Sequence, residues 1–178
     1  MADNFKEPSL SEIIIQAREK CNTLDADQYL DFDGKTLTLC KNQKPVKSWG
    51  AISGKPDYQY KRMQSIADKG PLPEGKYLAK QENLQHFSDL PFWNKVVSMI
   101  PRLNIGGFPS GGTATWGNHR VWLTPNSNNQ MYGRNKFSIH GGWLPGSAGC
   151  IDLTDEMDDF ARWYENNAKD VPLVVKYK

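Results

Sequence analysis

The sequence predicts a mainly β fold with peripheral helices, of the α+β class. Apolar residues alternate with polar ones from Tyr29 to Tyr77, and the turns Asp33-Gly34 and Asn42-Gln43 divide this stretch into antiparallel strands. The β-branched run from Val171 to Tyr177 predicts a last strand. Six tryptophans and seven tyrosines, in a chain rich in glycine and proline, fit a β-rich body with long loops.

The chain begins with a predicted helical extension, residues 1–28, which precedes one compact domain, residues 29–178. The 178 residues, 38% of them apolar, suffice for a single core. Ser9-Leu10-Ser11-Glu12 matches a capping box, and the apolar residues that follow recur at helical spacing, so we expect a helix from about Ser9 to Lys20. This helix is expected to pack on its own sheet, with docking on a partner protein as the alternative.

Three further segments are read in order along the chain. Asn83 to Met99 is mixed and is expected to hold a short helix. Ile105 to Asn118 is rich in glycine but lacks the ending of a phosphate loop, so it is either a mobile loop beside a cleft or a plain connection. Acidic residues favour a helix from Thr154 or Asp155 to about Lys169. Its apolar face consists of Met157, Phe160, Ala161 and Tyr164.

The most informative segment is Phe137 to Leu153, which contains His140 and Cys150 among small, turn-forming residues. An imidazole that takes the thiol proton turns a cysteine into a nucleophile, and nearby backbone N–H groups can receive the oxyanion formed on attack. A papain-like arrangement is excluded because no histidine follows Cys150. The scattered histidines also predict no metal site.

This segment resembles the catalytic domain of the L,D-transpeptidases. The family signature is His-Gly followed, after a short loop, by Ser/Thr-x-Gly-Cys and an aliphatic residue; this chain has His140-Gly141 and then Ser147-Ala148-Gly149-Cys150-Ile151. Upstream, Ser53-Gly54-Lys55 and Pro73-Glu74-Gly75-Lys76-Tyr77 resemble other family segments. The short spacer and the string GSAGCID are most similar to the branch of effectors exported by type VI secretion. The resemblance implies a β-sandwich catalytic domain and no cofactor.

The resemblance also implies roles for individual residues. Cys150 is the expected nucleophile of an acyl-enzyme, and His140 is its base. The N–H groups of Gly149 and Cys150 are candidates for an oxyanion hole, and Ser147 is expected to fix the loop or the imidazole.

Substrate-binding residues are expected around this pair. Arg134 and, with less weight, Arg120 are candidates to hold a substrate carboxylate, because a guanidinium matches a carboxylate bidentately. Gly141, Gly142 and Trp143, which follow the histidine directly, are expected to contact substrate.

The expected substrate is the stem peptide of peptidoglycan. Cross-linking relatives often carry a basic residue before the Gly-Cys pair and Arg or Asn soon after it, whereas this chain has Ala148 and Asp152. Hydrolysis, an L,D-carboxypeptidase activity, is therefore favoured over transpeptidation. The alternatives are a housekeeping enzyme that cross-links the wall and a wall-binding module without activity.

Composition bears on partners and location. A net charge of +2 gives no indication of nucleic-acid binding, and no apolar run reaches the roughly 20 residues that cross a bilayer. Met1 to Ser11 lacks the pattern of a signal peptide, so we expect synthesis in the cytoplasm and export to the periplasm of a target bacterium. An immunity protein and a secretion carrier are the expected partners. Cys21 and Cys40 are interpreted as small buried hydrophobic residues, with a disulfide as the alternative.

Overall fold

The computed structural model describes residue 21 and residues 24–98, 112–167 and 169–178. The predicted helix at Ser9 to Lys20 lies outside these residues, as does the first half of the glycine-rich segment. Within the described ranges, nine strands form one sheet. In chain order they are β1 (Gln28–Phe32), β2 (Thr36–Lys41), β3 (Lys44–Gly50), β4 (Ile52–Ser53), β5 (Gly75–His86), β6 (His119–Pro125), β7 (Ser138–His140), β8 (Ile151–Asp152) and β9 (Val171–Val175).

The sheet curls strongly, which brings its two edge strands close together. Its strand order is β3-β2-β1-β9-β5-β6-β7-β8-β4, so β3 and β4 are the two edges. Only Ala51 separates these edge strands in the sequence, so the sheet must curl to accommodate both. Apolar side chains from strands across the whole order then pack into one core. The predicted mainly β, sandwich-like class is confirmed.

The two predicted turns form because their residues suit the backbone there. At the first, Asp33 Oδ1 accepts hydrogen bonds from the backbone N–H groups of Lys35 (3.0 Å) and Thr36 (2.8 Å). At the second, Asn42 and Gln43 both have positive φ, 50° and 58°, as a two-residue hairpin turn requires. Both hairpins are antiparallel, as predicted.

Two strand pairs are parallel, which the sequence pattern did not indicate. β1 pairs in parallel with β9, and β7 pairs in parallel with β8. β9 ends at Val175, two residues before the predicted end.

Three α-helices lie on the periphery in the described ranges: α1 (Phe92–Ser98), α2 (Gly112–Trp116) and α3 (Met157–Asn167). α3 buries the four predicted apolar residues against the core. The described end of the glycine-rich segment is the short helix α2 and not a loop, which corrects that expectation. None of the described helices is long and apolar enough to cross a membrane.

Cys21 and Cys40 form a disulfide, which corrects their interpretation as free buried thiols. Their Cα atoms lie 5.4 Å apart, within the range that a disulfide requires. Both are fully buried in a small apolar cluster with Tyr29 and Val174. The sequence-based expectation was right about burial and wrong about bonding, because spacing along the chain does not report spatial distance.

Candidate active site

Strand β7 brings the predicted nucleophile and base together. His140 pairs with Arg120 of β6 on one side and with Asp152 of β8 on the other. Since successive residues of a strand point to opposite faces, Ser138 and His140 share one face, whereas Ile139 joins the core. Cys150 directly precedes β8, so the parallel pairing places its thiol beside that polar face.

Cys150 is a nearly buried free thiol, 6% exposed. The hydroxyl of Ser138 donates a hydrogen bond to its sulfur at 3.4 Å. Burial alone would raise the pKa of the thiol, but His140 and Ser138 outweigh burial and lower it below its ordinary value. The site therefore favours a thiolate, the reactive form of cysteine.

His140 is fully buried and held in one tautomer. Its Nδ1 lies 2.9 Å from the carbonyl oxygen of Gly141, which can only accept, so Nδ1 carries a proton. Because Nδ1 is occupied, Nε2 is the ring nitrogen left to interact with the thiol of Cys150. Burial would lower the pKa of the imidazole, but the sulfur of Cys150, helped by Asp152, raises it above its ordinary value. The ring packs against Trp116, with centroids 4.3 Å apart.

The loop before Cys150 is fixed by Ser147. Its hydroxyl donates to the carbonyl oxygen of Cys150 at 2.6 Å and accepts from the N–H of Gly149 at 3.3 Å. These two hydrogen bonds hold the loop, which is one of the two roles expected of Ser147. Because the N–H of Gly149 is engaged by Ser147, the N–H of Cys150 is the stronger candidate for the oxyanion hole.

Gly149 is required by geometry. Its φ is +115°, which L side chains rarely adopt, and an added Cβ would lie 2.8 Å from the Phe137 ring and collide with the guanidinium of Arg134. Its carbonyl oxygen accepts a hydrogen bond from Ser53 Oγ at 3.1 Å, and that hydroxyl in turn accepts from the N–H of Leu72. The backbone of Gly149, beside the predicted nucleophile, is therefore held by Ser53 at its carbonyl oxygen and by Ser147 at its N–H group.

Arg134 anchors loops through its two terminal nitrogens. Its two terminal nitrogens donate to four backbone carbonyl oxygens, at 2.5 to 3.1 Å, which belong to Gln64, Gly70, Pro71 and Ala148. A guanidinium whose terminal N–H groups are engaged in this way cannot bind a carboxylate through a bidentate pair of hydrogen bonds from these nitrogens. We therefore replace the expected carboxylate-binding role of Arg134 by a structural one.

Arg120 is a buried charge next to the nucleophile. It is 0% exposed, its Nη2 donates to Gln85 Oε1 at 2.8 Å, and its guanidinium lies over the rings of Trp122 (4.0 Å) and Trp116 (5.4 Å). Burial lowers the pKa of Arg120 to about 10, and the Cys150 sulfur opposes this shift. Its full burial corrects the expectation of direct carboxylate binding, and its charge instead favours the thiolate.

The residues after His140 divide into two structural glycines and one exposed aromatic side chain. A Cβ on Gly141 would clash with Met157, and one on Gly142, whose φ is +136°, would lie 2.6 Å from the Thr115 backbone. Both glycines are buried, and Gly142 lines the same cleft as Trp143, so their contact with substrate stays a prediction. Trp143 is 74% exposed and lines a cleft of about 270 Å³, so it stays a candidate substrate contact.

Three contributors to this site were missed by sequence reasoning. Ser138 contacts the sulfur, Trp116 packs on the imidazole, and Asp152 accepts hydrogen bonds from the N–H groups of Gly146 and Thr154, both at 2.9 Å. Of these three residues, only Ser138 could have been predicted from the sequence, since residues two positions apart on a strand lie on the same face and Ser138 is two positions before His140. The others depend on long-range packing.

The family follows from a comparison with protein-family models. The model of the Tlde1 domain matches residues 47–177, which is most of the chain and includes the whole site. The chain belongs to the Tlde1 domain family. This confirms the resemblance to the L,D-transpeptidase-like domains and to their effector branch. No match was found among curated proteins.

One solved structure shares the fold of this Tlde1 domain at low sequence identity, and two others are similar with lower TM-scores. Bd1075 of Bdellovibrio bacteriovorus has 12% identity and a TM-score of 0.51, and the match covers 85% of this chain and 48% of that one. L,D-transpeptidase 1 of Mycobacterium tuberculosis has 15% identity and a TM-score of 0.43, with 84% and 61% covered. A mutant L,D-transpeptidase of Enterococcus faecium has 17% identity and a TM-score of 0.49, with 84% and 50% covered. The Tlde1 chain thus spans about half the length of these proteins.

Proposed function

We propose that this Tlde1 domain is a cysteine-dependent enzyme that acts on peptidoglycan stem peptides, chiefly as an L,D-carboxypeptidase. The observation that carries the proposal is the buried pair of Cys150 and His140, in which each group shifts the pKa of the other toward a thiolate and an imidazolium. The catalytic domain is proposed to comprise residues 29–178, preceded by an extension at 1–28.

The reaction follows from the placement of the two groups. The Cys150 thiolate attacks the carbonyl carbon at the L-centre of the diamino acid, and the oxyanion formed is received by the N–H of Cys150. The bond to the terminal D-amino acid breaks, and its nitrogen takes the proton from His140 Nε2. Water then attacks the thioester and gives a proton to Nε2, and the C–S bond breaks to release a stem tripeptide and the thiolate, which restores the resting pair.

Two observations support hydrolysis in an exported protein. Asp152, which stands where cross-linking relatives carry other groups, accepts hydrogen bonds from Gly146, within the short loop between base and nucleophile, and from Thr154, just after the nucleophile. The Cys21–Cys40 disulfide suits an oxidising compartment such as the periplasm. We therefore propose that the protein acts as an antibacterial effector in the periplasm of a target cell, with an immunity protein and a secretion carrier as partners.

The test is muropeptide analysis after incubation of the purified protein with wall fragments. We expect tetrapeptides to become tripeptides, and we expect His140→Ala to lower turnover by about 100-fold or more, as loss of a positioned base does. His119→Ala is the matched control and should retain turnover. An increase in direct diamino-acid cross-links would indicate the housekeeping transpeptidase, and binding to wall without any new product would indicate the binding module.

A growth assay tests the effector role separately. Expression with a leader to the periplasm should be toxic, expression in the cytoplasm should be harmless, and Cys150→Ala should abolish toxicity at equal expression. Toxicity that persists in Cys150→Ala would contradict the catalytic explanation.

A further inference from the structure

A cluster of metal-ligating side chains lies outside the proposed active site. His86 is the last residue of β5, His119 is the first of β6, and the two are direct partners in the antiparallel register. Glu165 of α3 faces them, and one ligand atom from each of the three residues lies within 4.8 Å of the others. The two histidines are 33 residues apart in the sequence, so their spacing gave no sign of this cluster.

The distances within the cluster fit a common metal ion. The two Nδ1 atoms lie 2.9 Å apart, and His86 Nδ1 lies 3.6 Å from Glu165 Oε1. Ligands at about 2.0 to 2.2 Å from a tetrahedral zinc ion are separated by about 3.3 Å. One observed distance is shorter than this ligand separation and the other is longer, so small side-chain rotations are enough for the three side chains to bind a metal ion.

Asp158 provides an orienting contact of the kind that metal-binding histidines have. Its Oδ1 lies 3.4 Å from Nε2 of His119, the ring nitrogen on the far side from His86. A carboxylate that receives Nε2–H leaves Nδ1 with its lone pair directed into the cluster.

We propose that His86, His119 and Glu165 bind one divalent transition-metal ion, with zinc as the best match. Two imidazoles and one carboxylate form a donor set that suits zinc, nickel and cobalt better than magnesium or calcium. The ion would connect the adjoining ends of β5 and β6 to α3 and leave a fourth position for water. This replaces the sequence-based prediction of no metal site and is independent of the proposed enzymatic function.

The test is titration of the full, tag-free, metal-stripped chain with zinc chloride, followed by calorimetry and thermal unfolding. Cys150→Ala serves as the background, because a thiolate beside an imidazole is itself a zinc ligand. We expect one ion per chain and a rise in Tm of about 5 to 10 °C at 100-fold excess over Kd. His86→Gln and His119→Gln should abolish both effects, and Asp158→Asn should weaken binding by about 10-fold.

His140→Gln is the matched control, and in the Cys150→Ala background it should leave zinc binding unchanged. Cobalt absorption of the unmutated chain provides a measurement that does not depend on the folding of any variant. A spectrum without a thiolate charge-transfer band supports the site, whereas cobalt bound only through a thiolate overturns it. Absence of binding, or binding that persists in His86→Gln, also overturns the proposal and leaves a simple hydrogen bond between the two imidazoles.

Discussion

Replacing Arg134 by methionine separates the structural role assigned to it from the substrate-binding role that its sequence position suggested. Methionine keeps an apolar stem against the Phe137 ring, over which the guanidinium lies at 5.1 Å, and removes all four bonds to backbone carbonyl oxygens. A hydrogen bond to a charged group contributes about 1.5 to 3 kcal/mol when well buried. Arg134 is only half-buried, so we take about 1 kcal/mol per bond and expect the free energy of unfolding to fall by about 4 kcal/mol.

The assay is thermal unfolding followed by circular dichroism. A loss of this size should lower Tm by about 10 °C in a domain of this length. Arg162→Met is the matched control. Its side chain is 73% exposed and forms a 3.6 Å ion pair with Asp159, so the substitution should change the free energy of unfolding by less than about 0.5 kcal/mol. Turnover of stem tetrapeptide is measured in parallel, well below both melting temperatures.

The two roles make opposite predictions. Loss of loop anchoring should lower Tm and kcat, since Ala148 precedes the Gly149-Cys150 pair, and should change KM little. If Tm of Arg134→Met stays within about 2 °C of the unmutated protein while KM rises about 10-fold, the guanidinium binds substrate and the structural assignment is wrong.

The remaining predictions concern the thiols and their neighbours. Without reductant, iodoacetamide should modify Cys150 alone, as peptide mapping would show. Because the pKa of the Cys150 thiol is lowered in the folded protein, the labelling rate should persist from alkaline to neutral pH and fall only as the pH drops through that lowered pKa. His140→Ala should suppress the labelling rate at neutral pH. Ser138→Ala should shift this profile to higher pH while leaving circular dichroism unchanged, and an unshifted profile would remove Ser138 from the site. Reduction of the Cys21–Cys40 disulfide, which closes a loop with a sequence separation of 19, should lower the free energy of unfolding by about 3 kcal/mol in a denaturant titration, and an unchanged midpoint would contradict this.

The sequence predicted the parts of the fold that local patterns determine. Alternation and turn residues identified the β1-β2-β3 meander, and apolar spacing identified α3 with its buried face. The parallel pairing of β7 with β8 had no local signal, because these strands have three and two residues and are defined by their partners.

In the candidate site, too, some residues could be predicted from local sequence patterns and others depend on long-range packing. His140 and Cys150 were recognisable because their chemistry is carried by residue type and order. Arg134 and Arg120 were expected to hold a carboxylate, but Arg134 contacts backbone carbonyl oxygens and Arg120 contacts the side-chain amide of Gln85, because a guanidinium is equally suited to carboxylates and to amide oxygens. The choice between these depends on which loops fold over it, which the sequence alone does not specify.

The curl of the sheet also has a consequence for the order of folding events. β4 pairs with β8, the strand that follows the nucleophile, and it reaches that position only because the chain passes from one edge of the sheet to the other at Ala51. Pairings between residues so far apart in sequence form slowly and late, since the entropy of loop closure is lost before the contacts are gained. We therefore expect the thiol to become reactive only in the last kinetic phase of refolding, so that a partly folded chain, such as one in transit between compartments, carries its nucleophile without an activating base.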